Sequence, residues 1–280
     1  MQKKYGVIGY PIGHTMSPFI QKELFNLRNY NADYAKFEIS PETLKARFFD
    51  DLKSLDGFNV TIPHKVAIMD FCDDIDASAA EYGAVNTVCR RDGKYIGFNT
   101  DAYGFLKGLE FSKIPLEGRV LVYGFGGAAR TIITESLKAG CEVTVGTLPE
   151  LKSQALPIIE EISAKNGKKI YIAANEEIDR NFDLLINATP VGMYPKIGAM
   201  PISEEQVGLF TYVYDIVYNP FETELVKAAK QKGKICGGGL SMLVCQAQQA
   251  QMHWYGAEFT LSETETVIQN AAKELAEVFG

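Results

Sequence analysis

The feature that most constrains this chain is a glycine-rich turn between an apolar strand and a helix. In VLVYGFGGAAR (120–130), Gly124, Gly126 and Gly127 follow the strand directly, and Ala128 stands near the place of a third glycine. Glycines let the backbone turn tightly and approach a pyrophosphate, whose charge the helix N-terminus stabilises. A purely structural turn is the alternative, but the strand, turn and helix context is the one in which this fingerprint binds dinucleotides.

The stretch after this turn repeats the alternation of strand and helix. Apolar strand patterns occur in CEVTVG, KKIYIAA, DLLINATP, YVYDIVYNP and KICGG, and helical patterns lie near 150–166 and 222–232. Buried strands joined by helical crossovers are typical of an open, doubly wound parallel sheet. We therefore predict a Rossmann-type dinucleotide-binding domain over residues 102–239.

The first hundred residues predict another α/β domain. Strand patterns in YGVIGY, YAKFEI and GFNVTIP alternate with helical patterns in SPFIQKELFNLRN and PETLKARFFDDLKS, which implies βα units and a mostly parallel sheet. AVNTVCR and KYIGFNTD are joined by Asp92-Gly93, a strong hairpin signal. Helical stretches at 240–256 and 262–279 are expected to return to this domain, which would then be discontinuous, 1–101 plus 240–280. The prediction is an α/β chain of two lobes that share a cleft.

Composition narrows the class of ligand. The formal charge of −7 and the pI near 5.2 oppose nucleic-acid binding, because no basic field is present to replace the counterions of a phosphate backbone. The five cysteines are widely spaced and form no metal-binding pattern, which favours reduced thiols in a cytoplasmic protein. No signal peptide or membrane-spanning stretch is visible. A small-molecule ligand is therefore expected.

Polar residues stand at strand ends or in loops of the first domain. They are Thr15, Ser17, Asn59, Thr61, Lys65, Asn86 and Asp101. Each has an ordinary structural explanation, since Ser17 and Asp101 could cap helices and Asn86 could serve a turn. Lysines such as Lys65 are usually solvated. The joint occurrence of these polar residues at strand ends favours a binding site, because ligands of doubly wound sheets bind at the carboxyl ends of the strands.

Eight motifs, in the same order along essentially the whole chain, give it a resemblance to a known family. They are YGVIGYPIGHTMSP, NVTIPHK, GAVNT, FNTDAYG, GFGGAAR, NATPVGMYP, YDIVYNPFET and GGGLSMLVCQA. With these motifs the chain resembles the shikimate dehydrogenases. The resemblance implies a reversible NADP-linked reduction of 3-dehydroshikimate to shikimate, in the shikimate pathway of aromatic amino-acid biosynthesis. It also implies an N-terminal substrate-binding lobe, no metal, and a monomer or homodimer.

The resemblance also assigns roles to individual residues. Lys65 and Asp101 would form the catalytic pair beside the hydroxyl that is oxidised. The substrate's hydroxyls and carboxylate would be bound by Thr15, Ser17, Thr61, Asn86, Tyr218 and Gln246. The pyrophosphate would be cradled by Gly124, Gly126, Gly127 and Ala128. The rest of the dinucleotide would be bound by Thr147, Asn187, Thr189, Ile216, Gly239 and Met242.

The chemistry explains the two catalytic residue types. Reducing a ring ketone requires a hydride for the carbon and a proton for the oxygen, and the reverse reaction removes that proton. A lysine beside the oxygen can serve both directions. Our hypothesis is that Lys65 carries the proton and Asp101 orients Lys65 and the hydroxyl, whereas the neighbouring His64 is structural.

Three departures from the family pattern are visible, of which the pair Phe98 and Ala102 beside Asp101 has no assigned consequence. Residues 146–149 read GTLP, where NADP-dependent members carry Asn-Arg-Thr, so the arginine that would hold a 2′-phosphate is missing. Weak NADP binding through Thr147 and Lys152, or relaxed cofactor choice with NAD possible, is therefore expected. Thr15 stands where the family usually has serine, and its extra methyl could shift the balance between shikimate and quinate.

Three interpretations follow. The first is an NADP-linked shikimate dehydrogenase, and the second is an NAD-using quinate/shikimate dehydrogenase that works in the oxidative direction. The third is a non-catalytic nucleotide-binding module, which predicts loss of Lys65 or Asp101, and both are present.

Overall fold

The computed structural model describes residues 2–279, and it divides the chain into two compact units. The first unit contains the chain up to Gly104 and Leu243–Lys273, and the second contains Phe105–Met242 and the chain from Glu274 on. Each unit is built around one six-stranded sheet, so both are α/β structures. This confirms the predicted fold class.

The sheet of the first unit is mixed. Its strands are β1 (Lys3–Gly9), β2 (Ala32–Glu38), β3 (Gly57–Val60), β4 (Asp74–Ile75), β5 (Thr87–Arg91) and β6 (Lys94–Phe98), in the spatial order β2-β1-β3-β5-β6-β4. β1 pairs in parallel with β2 and β3, whereas β5 runs antiparallel to both β3 and β6. The hairpin predicted at Asp92-Gly93 is confirmed, with φ of 51° and 80° at its two turn residues.

Helices pack on this sheet around an apolar core. Along the chain they are α1 (Ser17–Leu27), α2 (Leu44–Asp50) and α3 (Ala77–Tyr82). The next helix, α4 (Asp101–Phe111), begins in this unit, but its Phe105 and Leu109 lie in the apolar core of the second unit. The core is formed by Ile8, Phe48, Phe58, Ile68 and Val88, all buried, which come from β1, α2, β3, the turn after it, and β5. The sequence pattern did not predict β4 or α3, because elements of 2 and 6 residues are too short to show a period.

The second unit has an all-parallel sheet. Its strands are β7 (Arg119–Tyr123), β8 (Glu142–Thr147), β9 (Tyr171–Ala174), β10 (Phe182–Asn187), β11 (Phe210–Asp215) and β12 (Ile235–Gly238), in the order β12-β11-β10-β7-β8-β9. The chain moves outward from β7 in both directions, so the strand order reverses between β7 and β10. This is the doubly wound arrangement of the Rossmann fold, as predicted.

Both faces of this sheet are covered by helices. These are α5 (Gly127–Lys138), α6 (Lys152–Asn166), α7 (Glu204–Val207) and α8 (Glu224–Gln231). Val120 and Val122 pack with residues of α5 and α6, whereas Leu121 and Tyr123 pack with residues of α7 and α8. Alternate residues of one strand therefore enter two separate cores, which explains why the strands are continuous apolar runs.

Two long helices end the chain, α9 (Leu240–Tyr255) and α10 (Leu261–Phe279). The start of α10 is held by Glu263, which accepts hydrogen bonds from the Thr260 N–H (2.8 Å) and hydroxyl (3.1 Å). In return the Glu263 N–H donates to the Thr260 hydroxyl, which completes a capping box. Arg28, just after α1, donates to both Glu263 oxygens at 2.7 and 2.8 Å. These bonds lower the pKa of Glu263 to about 2.

Glu263→Gln is expected to destabilise the protein by about 2 kcal/mol at neutral pH, through the lost ion pair and weakened cap. A carboxyl with a depressed folded-state pKa stabilises the fold above its unfolded pKa, near 4.5, and loses that contribution as pH falls toward about 2. Denaturant unfolding should show the full difference at pH 7 and less than half at pH 3. Glu265→Gln, exposed on the same helix, is the control; an equal Glu263→Gln effect at both pH values would contradict this assignment.

Candidate active site

Topology brings the polar loops of the first unit to one edge of its sheet. β1 and β3 are parallel, so the loops that follow them, which carry Thr15 and Thr61, leave at the same edge. β5 is antiparallel to β3, so Asn86, immediately before β5, stands at that edge too. β6 is antiparallel to β5, so its end leads back there to Asp101. Mixed strand directions therefore gather residues that are far apart in sequence.

Lys65 and Asp101 form a largely buried ion pair at this edge. The Lys65 Nζ donates to Asp101 Oδ2 at 2.5 Å, and only 13% and 6% of the two side chains are exposed. The Lys65 carbonyl accepts the Val85 N–H at 2.7 Å, which fixes the lysine backbone beside the strand that Asn86 precedes. Burying two charges is expensive even when they are paired, so such a pair contributes little net stability. A role in catalysis therefore explains the presence of this buried pair better than a role in stability does.

The Asn86 side chain fixes the position of Asp101 through two hydrogen bonds, one to Asp101 itself and one to the residue before it. Its Nδ2 donates to Asp101 Oδ1 at 2.8 Å, while its Oδ1 accepts the Thr100 N–H at 2.7 Å. The Asp101 N–H donates to Asn99 Oδ1 at 2.9 Å. One carboxylate oxygen is therefore bound by an amide and the other by the lysine, which fixes the plane of the carboxylate. Asp101 is the first residue of α4.

The buried network extends to residues without a predicted role. Asn59 Nδ2 donates to the Thr87 hydroxyl at 3.0 Å, and Asn59 Oδ1 accepts the Tyr34 hydroxyl at 2.7 Å. The Thr100 hydroxyl donates to Asn86 Oδ1 at 3.1 Å. Asn59 had been noted as a strand-end polar residue, but Tyr34 and Thr100 were missed. The signal for Thr100 was its place beside Asp101 at the end of a strand.

The other predicted substrate residues of this unit are placed as follows. The Thr15 hydroxyl donates to Ser17 Oγ at 3.2 Å, so the two hydroxyls lie together where the loop after β1 meets the first residue of α1. Gln246 is on α9. Its Oε1 accepts a long hydrogen bond of 3.5 Å from Asn86 Nδ2, and its Nε2 donates to the Leu243 carbonyl at 2.8 Å. Thr61 is half-buried directly after β3.

His64 has a structural role, as expected. It is 1% exposed, and its Nε2 donates to the Ile39 carbonyl at 2.6 Å. Its backbone joins this turn as well, since the His64 N–H donates to the Thr61 carbonyl at 2.9 Å. These contacts fix the turn that presents Lys65.

The glycine turn of the second unit fits a dinucleotide. Gly124 has φ of +118°, and a Cβ there would stand 2.8 Å from the Thr189 methyl, so only glycine allows this approach. A Cβ on Gly126 would meet nothing within 4 Å, so the backbone there faces open space. Among residues 2–279 no side chain caps the N-terminus of α5, which begins at Gly127. The first N–H groups of α5 are thus available to an anion.

The remaining predicted dinucleotide residues stand at the same edge of the second sheet. Thr147, Asn187 and Gly239 are buried, at the end of β8, the end of β10 and just after β12, while Thr189, Ile216 and Ala128 are half-buried. Tyr218, predicted to bind the substrate, is half-buried after β11. A Cβ on Gly239 would overlap the Ile216 carbonyl oxygen, so these two loops approach closely. Met242 is 6% exposed and belongs to the apolar core around Tyr214.

Comparison with known proteins decides the family. Residues 7–88 match the model of the shikimate dehydrogenase substrate binding domain. The chain is 40% identical over 260 residues to a protein of Shouchella clausii named shikimate dehydrogenase (NADP(+)), with 91% of this chain and 94% of that protein covered. The chain belongs to the shikimate dehydrogenase family.

Other members of the family support the same assignment. A Caldanaerobacter subterraneus protein with the same name is 40% identical over 265 residues, covering 92% of this chain and 93% of that protein. The crystal structure of a Thermus thermophilus shikimate 5-dehydrogenase with NADP(H) and shikimate is 32% identical, has a TM-score of 0.84, and covers 96% of this chain and 100% of that one. The chain is thus an oxidoreductase of this family.

No group of three or more His, Cys, Asp or Glu residues within 2–279 is arranged to hold a metal ion. Over the same range, every helix is either too short or too polar to cross a membrane.

Proposed function

We propose that this chain catalyses the reversible NADP-linked reduction of 3-dehydroshikimate to shikimate, with Lys65 and Asp101 as its catalytic residues. The observation that carries the proposal is the buried Lys65–Asp101 pair, held by Asn86 at the edge where the strand-end hydroxyls gather. The first unit would be the substrate-binding domain and the second the dinucleotide-binding domain.

Lys65 would move the proton. In the direction of reduction its ammonium group hydrogen-bonds the ketone oxygen and transfers a proton to it, and in the direction of oxidation the amine takes that proton back. Bound NADPH supplies the hydride. Asp101 holds the Lys65 Nζ by a hydrogen bond, so the lysine reaches the oxygen in one orientation.

Neutral polar groups would bind the rest of the substrate. Hydroxyls and amides suit a polyhydroxylated ring, because each can donate or accept a hydrogen bond without bringing a charge into the site. In the first unit the proposed substrate-binding residues are Thr15, Ser17, Thr61, Asn86 and Gln246. Tyr218 is proposed to bind the substrate as well.

The glycine turn would hold the dinucleotide. Gly124, Gly126, Gly127 and Ala128 would receive the pyrophosphate at the start of α5, and this is supported by the open space at Gly126. The rest would be bound by Thr147 and Asn187 at the ends of β8 and β10, and by Thr189, Ile216 and Gly239 in the loops after β10, β11 and β12. Met242, in the first turn of α9, would complete this set.

Product identification tests the proposed reaction. Purified protein is incubated with shikimate and NADP, and 3-dehydroshikimate and NADPH are quantified in parallel. Equal amounts of both products are expected. Quinate replaces shikimate in a second series; a higher kcat/KM with quinate would favour the quinate dehydrogenase alternative, and no product with either would contradict the proposed function.

Cofactor choice has its own structural test. Without the arginine, the nearest cation along the sequence after Thr147 is Lys152, at the start of α6. Its Nζ pairs with both oxygens of Glu177 at 2.7 and 2.8 Å. If this lysine binds the 2′-phosphate, Lys152→Ala should lower kcat/KM with NADP by about fivefold and leave that with NAD unchanged.

Lys165→Ala is the matched control, because Lys165 is exposed at the other end of the same helix. Equal losses with NADP and NAD in the Lys152 variant would exclude a role in recognising the 2′-phosphate. A wild-type preference for NAD would favour the second interpretation of the sequence.

The cysteines support a proposal for the cellular setting. None of the five forms a disulfide, and burial raises the pKa of Cys72 and Cys89 to about 12 and that of Cys141 to about 11. Such thiols are inert, in keeping with a reducing compartment. We propose a cytoplasmic enzyme, and monomer or homodimer remains a prediction.

A further inference from the structure

A carboxylate that the proposed mechanism does not use lies in the interior of the second unit. Asp215 is the last residue of β11 and is 0% exposed. It pairs in register with Asn187, the last residue of β10. Burial raises its pKa to about 6, although the three hydrogen bonds that it accepts oppose the rise. Keeping an ionised carboxylate there therefore costs folding free energy at neutral pH.

The three hydrogen bonds to Asp215 come from a strand end, a loop and a helix N-cap at the carboxyl edge of the sheet. Oδ1 accepts the Val217 N–H at 3.0 Å and Asn187 Nδ2 at 2.9 Å, and Oδ2 accepts the Thr223 hydroxyl at 2.7 Å. Thr223 is the N-cap of α8, whose Val226 N–H donates back to the same hydroxyl. One side chain thus ties two strand ends to the start of a helix.

Two of these partners, Asn187 and Val217, also form hydrogen bonds with residues proposed to bind the dinucleotide. Asn187 Oδ1 accepts both the N–H and the hydroxyl of Thr189, at 3.1 and 2.7 Å, and the Thr189 methyl stands against Gly124. The Val217 carbonyl accepts the Gly239 N–H at 3.1 Å. The loops after β10, β11 and β12, and the glycine turn after β7, are therefore fixed with reference to one carboxylate.

We propose that Asp215 is a positioning residue for dinucleotide binding, holding the loops that carry Thr189, Ile216 and Gly239 in the shape that receives NADP. The proposal rests on the proposed function of the second unit. Three donors point at the two side-chain oxygens of Asp215, and a carboxylate can accept all three hydrogen bonds. An asparagine offers one acceptor oxygen, and its amide would face the Thr223 hydroxyl and leave the hydroxyl proton without its acceptor.

The test is equilibrium binding of NADP, measured by titration calorimetry on the full chain. Asp215→Asn is expected to raise the Kd for NADP about tenfold, and Thr223→Val, which removes the same hydrogen bond and keeps the carboxylate, should act in the same direction. Thr223→Ser retains the hydroxyl and should bind NADP within twofold of wild type. In steady-state assays the KM for NADP should rise in the first two variants while the KM for shikimate stays unchanged.

A matched control separates positioning from stability. Ile159→Ala removes a buried side chain of α6 in the same unit and should lower the Tm without changing the Kd for NADP. If Asp215→Asn and Thr223→Val lower the Tm as Ile159→Ala does and bind NADP like wild type, the inference is wrong and Asp215 is only structural. If Asp215→Asn does not fold, the Kd for NADP and the Tm of Thr223→Val and Thr223→Ser are compared in the same way. Wild-type protein that binds no NADP overturns the proposed function, and this inference with it.

Discussion

Replacing Lys65 by methionine is expected to lower kcat for shikimate oxidation about a thousandfold, a loss of about 4 kcal/mol of transition-state stabilisation. Methionine keeps the length of the side chain but can neither donate nor accept the proton. The loss should appear in kcat and kcat/KM alike, because the proton moves only in the reaction step. Steady-state kinetics of the two proteins measure it.

The Lys65 variant needs controls for folding and binding. Removing the lysine leaves Asp101 buried with Asn86 as its remaining side-chain partner, which costs stability, so a melting curve accompanies the assay. Binding of NADP should be unchanged, since its proposed residues lie in the second unit. Lys45→Met, exposed on α2, should leave kcat unchanged. A Lys65→Met enzyme with nearly full kcat, together with an inactive Asp101→Asn, would reverse the roles assigned to the two residues.

Replacing Gly126 by valine is expected to weaken NADP binding by about a hundredfold, because the new side chain would fill the space in which the turn receives the pyrophosphate. The fold should tolerate it, since a Cβ at Gly126 meets nothing within 4 Å and the φ of −75° suits any residue. Gly126→Ala should give a smaller loss. Calorimetric titration with NADP and a melting curve together check both statements.

Gly198→Val is the matched control, because a Cβ at this exposed glycine of the second unit also meets nothing within 4 Å. It should change neither the Kd for NADP nor the Tm. If Gly126→Val binds NADP like wild type, the pyrophosphate does not lie at this turn. A large fall in Tm would instead show that the space at Gly126 is needed for folding.

The parts of the fold predicted from sequence are those with strong local signals. The strand and helix around Gly124–Gly127 and the hairpin at Asp92-Gly93 follow from residue types whose backbone preferences permit few alternatives. The short strand β4 and the one-turn helix α7 have no such signal. The antiparallel pairing of β3 with β5 was not predicted, because it depends on contacts across the fold rather than on local pattern.

The candidate site shows the same division. Lys65, Asp101 and Asn86 were identifiable because they stand beside strand ends in recognisable motifs. Tyr34 was not, since a tyrosine within a strand ordinarily serves packing. Asp215 carried a usable signal, an acidic residue at the end of an apolar run, but only the structure shows which loops its oxygens hold.

The central claim is that this chain transfers a hydride between shikimate and NADP. It is tested most directly with shikimate that carries deuterium at the carbon whose hydroxyl is oxidised, followed by mass spectrometry of the dinucleotide. The account predicts that the NADPH formed carries the deuterium and that Lys65→Met forms it far more slowly. NADP that stays oxidised and unlabelled, with folded wild-type protein that binds both compounds, would contradict the account.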